Sequence, residues 1–129
     1  MSQGTRDKGN HYEQMALRYL QQQGLQAVAQ NFHCRWGEID LILRAGDVLC
    51  FVEVKYRRSD AFGGIAYSIP VTKQRKIIRT ALTFLDQNPA FSAFSYRFDA
   101  LFISAAKSAR AQENIEWIQD AFGAQGSQY

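Results

Sequence analysis

The sequence predicts a single α/β domain, a small mixed β-sheet flanked by helices in the order helix, three strands, helix, two strands. Three observations lead there. The chain has 129 residues, 47% of them hydrophobic and 21% charged, the size and balance of one globular domain. Its hydrophobic pattern changes from helical spacing to alternation and back again. The strands do not alternate with helices as in a doubly wound fold, and neither GxGxxG nor GxxxxGK followed by Ser or Thr occurs, so neither dinucleotide nor P-loop chemistry is supported.

Residues 7–23 are rich in helix formers, with Tyr12, Ala16, Tyr19 and Leu20 on one face and Gly24 where a C-cap belongs. Residues 25–35 alternate loosely and read as a short strand. Residues 38–43 and 48–56 are stronger strands joined by Arg44-Ala45-Gly46-Asp47, whose Gly and Asp suit a hairpin. Residues 57–70 contain Gly63-Gly64 and Pro70 without a period, a loop of a length often tied to function. Thr72 can cap the next helix, whose apolar stripe is Ile77, Ile78, Ala81, Leu82 and Leu85 and which must stop before Pro89. Residues 96–104 read as a strand buried on both faces, with a last strand over 114–118. The domain is expected to span residues 1–122, and residues 123–129 to form a frayed tail.

The longest apolar run, Val48-Leu49-Cys50-Phe51-Val52, is far short of a membrane span, and no apolar run follows the charged N-terminal residues. A cytoplasmic protein without membrane contact is the expectation. Cys34 and Cys50 have neither CxxC spacing nor a nearby His, so they read as reduced, small apolar residues, and His11 and His33 stand alone. The net charge of +3 is modest but uneven. Lys55, Arg57, Arg58, Lys73, Arg75, Lys76 and Arg79 face a single acid, Asp60, over that stretch. Such a segment is either a solvated helix face or a surface for phosphodiesters.

Hairpin parity sorts the side chains. An even loop, either Ala45-Gly46 or residues 44–47, pairs Leu43 with Val48 and Asp40 with Phe51. Ile39, Leu41, Leu43, Val48, Cys50, Val52, Val54 and Tyr56 then share one face, assigned to the core. Trp36, Glu38, Asp40, Ile42, Leu49, Phe51, Glu53 and Lys55 share the other. On that second face Asp40 and Glu53 become diagonal neighbours, with Lys55 two residues further on. Carboxylates so grouped repel one another unless a cation joins them. Asp40, Glu53 and the backbone carbonyl of Val54 are hard oxygen donors suited to Mg²⁺ or Mn²⁺, and Lys55 is placed to orient a water or stabilise developing charge. The competing reading is an exposed cross-strand ladder in which Lys55 pairs with Glu53 or Glu38.

Gly37-Glu38-Ile39-Asp40-Leu41-Ile42 followed by Phe51-Val52-Glu53-Val54-Lys55 resembles the PD-(D/E)xK nucleases of the restriction-endonuclease-like fold. Over residues 7–120 the chain more closely resembles the bacterial YraN family, which is similar to archaeal Holliday-junction resolvases. The resemblance implies metal ligation by Asp40 and Glu53, a catalytic Lys55, and a helix-borne Glu13 that joins the metal site. Arg57, Arg58, Lys73, Gln74 and Lys76 are the candidate nucleic-acid contacts, and Arg97 with Asp99 suits a structural ion pair as well as a site. The implied function is a metal-dependent endonuclease acting on DNA, branched or damaged DNA included. The alternative is a non-catalytic nucleic-acid-binding or adaptor module that keeps the fold. A homodimer is expected if the substrate is a symmetric junction.

Overall fold

The computed structural model describes residues 3–57, 69–104 and 114–123. Along the chain lie α1 (Gln3–Gln22), β1 (Gln26–Cys34), β2 (Gly37–Ala45), β3 (Val48–Arg57), α2 (Val71–Gln87), a short 3-10 turn (Pro89–Phe91), β4 (Ser95–Ser104) and β5 (Asn114–Phe122). The five strands form one sheet in chain order. β3 and β4 run parallel, and every other neighbouring pair is antiparallel. The mixed α/β sheet flanked by helices is therefore the observed architecture.

α1 ends on a full Schellman motif. Gly24 (φ +99°) gives its N–H to the Gln21 carbonyl, and Leu25 N–H reaches back to Leu20. Leu25 is thereby buried beneath Leu17 and Leu20, and with Ala16 these residues cover Leu41, Leu43, Cys50, Val52, Leu101 and Ile103 on one face of the sheet. The opposite face belongs to α2, whose Ile77, Ile78, Ala81 and Phe84 pack on Ile39, Ile42, Leu49, Phe51, Phe98 and Phe102. Two layers of core thus sandwich the central strands, which explains the nearly unbroken apolar reading of β4.

Several expectations need correction. Thr72 does not cap α2; Pro70 (φ −56°, ψ 147°) stands at the cap position without a side-chain bond, and Gln74 N–H bonds its carbonyl. Pro supplies a suitable entry geometry where no N–H is needed. Leu82 is 48% exposed, while Phe84, absent from the expected stripe, is buried. The last strand runs on to Phe122. The β2–β3 loop is Gly46-Asp47, so Leu43 pairs with Cys50 and Ile42 with Phe51, two positions away from the expected register. Parity survives that shift, but the second face is as buried as the first because α2 covers it. The expected loop over residues 57–70 and the tail fall largely outside the described residues.

Candidate functional site

The β2–β3 ladder is regular from Ala45↔Val48 to Leu41↔Val52 and goes no further, whereas β3 continues beside β4 to Arg57↔Ser104. In a continued ladder Val54 would face Ile39. Instead Val54 N–H donates to Asp40 Oδ2 at 2.8 Å, so a side chain takes the place of a strand carbonyl and the strands part. Ile39, expected on the face it shares with Leu41 and Leu43, packs instead into the α2 layer with Phe32 beside it. β1 yields at the same level: Asn31 has a positive φ of 54°, a conformation Asn tolerates better than most residues. The notch between β2 and β3 is where the acids collect.

Glu53, 4% exposed, faces that notch from β3 and receives Lys73 Nζ at 2.5 Å from the first turn of α2. A cavity of about 390 Å³ is lined by Gly37, Glu38, Asp40, Glu53, Lys73 and Lys76, with Thr72 and Ile77 closing its side. Burial, then the charges of Glu53 and Glu13, push the Asp40 carboxyl up to about 8, against the bond from Val54 N–H. Lys55 is held below its ordinary value by burial and by Lys73 alongside. Lys73 moves the other way: burial opposes its charge, but the Glu53 carboxylate outweighs it. Glu13 reaches the group from α1. Burial raises its carboxyl, an effect opposed by Asn31 and reinforced by Glu38 and Glu53. With its amide turned to donate, Asn31 lies 3.0 Å from Glu13 Oε1 and 3.3 Å from Glu38 Oε2.

The structure thus brings Asp40, Glu53, Lys55, Lys73 and, one step back, Glu13 into one electrostatic group. Among the described residues no three His, Cys, Asp or Glu side chains are close enough to hold a metal ion by themselves. A strand residue directs its N–H and C=O to the same edge, so the Val54 carbonyl belongs to the edge where Asp40 sits. Lys76 is exposed at the cavity wall. Gln74 is turned inward, donating to the Ile69 carbonyl at 2.8 Å, and does not present itself to a ligand surface. Arg57 closes β3, and Arg58 lies outside the described residues.

Asn31 and the pairing role of Lys73 were not read from the sequence. The first had a signal, an Asn interrupting a strand. The second had none, since nothing in linear spacing aims Lys73 at Glu53. Arg97 and Asp99 are a structural pair: Asp99, fully buried, accepts from Arg97 Nε at 3.0 and 3.2 Å, from Trp117 Nε1 at 3.0 Å and from Asp120 N–H at 2.9 Å.

No helix among the described residues is long and apolar enough to cross a membrane. The sequence pattern of the uncharacterised protein family UPF0102 matches residues 12–103, a span that holds every residue of the acid notch. A UPF0102 protein of Nitrosomonas europaea is 47% identical over 116 residues, covering 90% of this chain and 93% of the relative. One from Psychromonas ingrahamii is 46% identical over 123 residues, with 93% of each chain covered. One from Vibrio parahaemolyticus is 44% identical over 116 residues, covering 90% of this chain and 92% of its own. A match of that extent establishes kinship rather than a shared motif, and the chain belongs to the uncharacterised protein family UPF0102, the family of YraN.

Proposed function

We propose that the chain is a metal-dependent endonuclease that hydrolyses phosphodiester bonds in DNA, with branched or damaged DNA among its substrates. The observation that carries this reading is the convergence of Asp40, Glu53, Lys55 and Lys73 on the notch where β2 leaves β3. The donor set fits a divalent cation. An Asp whose carboxyl is pushed up to about 8 beside a second buried acid is short of positive charge, and both groups are hard oxygen donors. Asp40, Glu53 and the Val54 carbonyl would hold Mg²⁺ or Mn²⁺, with Glu13 behind them. Such an ion supplies polarisation of the phosphodiester and acidification of a bound water.

The chain's own groups do the rest. Lys55, crowded by Lys73 and partly buried, gives up a proton more readily than an ordinary lysine, which suits an Nζ that orients the attacking water. Lys73 neutralises Glu53, and Lys76 and Arg75 on the exposed side of α2 suit flanking phosphates. Closeness of Lys73 to Glu53 keeps the acid from standing alone in a buried place. Part of the same proposal is a cytoplasmic location and, for a symmetric junction, a homodimer.

The test is metal-dependent cleavage of branched and duplex DNA by wild type, Asp40→Ala and Lys55→Ala, with folding followed by circular dichroism. Loss in both variants with the fold kept is expected; cleavage surviving both removes the assignment. One observation favours a non-catalytic binding module instead: Lys73 already provides Glu53 with a counter-charge. That module would bind nucleic acid with steep salt dependence, ignore Asp40→Ala and form no product with any divalent ion.

A further inference from the structure

Trp36 stands at the β1–β2 turn with 37% of its surface exposed. The chain's other tryptophan, Trp117, is tied down through its indole N–H to Asp99. The Trp36 indole N–H makes no such bond to a carboxylate among the described residues. Both neighbouring cations lie over its ring, Arg35 Cζ at 4.4 Å and Arg79 Cζ at 4.8 Å from the centroid. Neither guanidinium has a carboxylate partner among the described residues. The π face of the indole attracts each guanidinium, but the two like charges repel each other and no carboxylate among the described residues forms an ion pair with either. A polyanion would relieve that repulsion.

The turn is fixed in place. Gly37 (φ +155°) lies so close to α2 that an added Cβ would meet Thr80 Oγ1 at 3.3 Å and Lys76 Cβ at 3.5 Å. Gly37 and Lys76 also line the acid cavity, and Arg79 is one turn further along the same face of α2. Trp36 therefore adjoins Gly37, which lines the cavity that contains Asp40 and Glu53, and its indole lies against Arg79 one helical turn beyond the lining Lys76.

We infer that Trp36, flanked by Arg35 and Arg79, is a stacking platform for an unpaired nucleobase of DNA bound at the acid notch. The substrate then carries splayed or single-stranded nucleotides next to the phosphodiester at the notch. The inference rests on the nuclease reading for its ligand and deepens it. Bases inside a duplex have both faces occupied by their neighbours, so only an unstacked base can use the ring. A guanidinium that leaves the ring for an adjoining phosphate frees that face of the indole for the base, and stacking on indole tolerates any base, so the preference is for structure and not for sequence.

The test is binding without cleavage, in EDTA and at low salt, by fluorescence anisotropy of a splayed-arm DNA and a blunt duplex of equal length. Wild type, Trp36→Phe and Trp36→Ala are compared. Stacking of a single base is expected to favour the splayed DNA by about five- to hundredfold. Trp36→Ala should abolish most of that preference while keeping duplex affinity, and Trp36→Phe should retain much of it. Equal wild-type affinity for the two DNAs, or a preference untouched in Trp36→Ala, overturns the platform and leaves DNA binding standing. Binding of neither DNA at low salt overturns the nuclease reading along with it.

Discussion

Replacing Asp40 by Asn should make the protein more stable, and increasingly so as the pH rises. In the unfolded chain this carboxyl ionises near 3.8; in the notch burial and Glu53 push it up to about 8. The folded state therefore binds a proton that the unfolded state has already released, and stability falls with rising pH throughout that interval. Each pH unit is worth up to about 1.4 kcal/mol, so moving from pH 5 to pH 7 removes up to about 2.7 kcal/mol. The Asn carbonyl can still accept the Val54 N–H that Asp40 Oδ2 now takes at 2.8 Å, so the strand geometry is kept while the charge is removed. Urea unfolding of wild type and Asp40→Asn at pH 5, 7 and 8.5 measures the difference directly. The gap should widen with pH. Mg²⁺ or Mn²⁺ at pH 8 should narrow it by stabilising wild type alone. A gap constant between pH 5 and 8.5, or a variant less stable than wild type at pH 8.5, refutes the claim that Asp40 is held against its preference.

Three further outcomes follow from the packing. Asp99→Ala leaves Arg97, the Trp117 indole and the Asp120 amide without their shared acceptor and should cost about 3–5 kcal/mol in urea unfolding; a loss below 1 kcal/mol would show that the network is dispensable. Gly37→Ala adds a Cβ 3.3 Å from Thr80 Oγ1 at a φ of +155° and should cost about 1–3 kcal/mol, which a stability unchanged within ~0.5 kcal/mol would contradict. Iodoacetamide at pH 8 should label Cys34 well before Cys50. Burial pushes the Cys50 thiol up to about 11 with Asp99 adding to it, while at Cys34 the upward effect of burial is outweighed by hydrogen bonds from Trp36, Thr80 and Thr83, and comparable rates by mass spectrometry would sink the argument.

The fold was readable where local chemistry dictates geometry. Gly24 announced the end of α1, and the apolar runs of β3 and β4 announced buried strands. The hairpin was readable to parity but not to register, because choosing which residues turn means weighing alternatives that each keep the apolar faces intact. Gly46 (φ +61°) ahead of Asp47 is the arrangement of a II′ turn, with Gly at its first central position, and that signal would have fixed the register. Placement of Ile39 was not readable. Parity assumes an unbroken ladder, and the ladder breaks because the Asp40 carboxylate competes for the Val54 amide. Asp40, Glu53 and Lys55 were recoverable from linear pattern since they sit on adjoining strands. Lys73 and Asn31 were not, because the first comes from a helix docked on the sheet and the second from a distortion of β1.

Asp99 and Asp40 show what separates a structural acid from one kept ready for a ligand. Both lie on central strands beneath helices, and both are removed from water to a large degree. Asp99 meets four donor contacts with a planar guanidinium among them, so its charge is matched where it stands. Asp40 receives one amide, and its nearest charged neighbours include two further acids. A fold able to saturate Asp99 so completely could have supplied Asp40 with an arginine; it supplies lysines instead, long single-point cations that can release one oxygen and reach another. The underpairing at Asp40 lowers stability without improving the packing around it. That cost makes sense if the missing positive charge arrives from outside, which is why the pH dependence of Asp40→Asn and its response to divalent ions bear on function as directly as on stability.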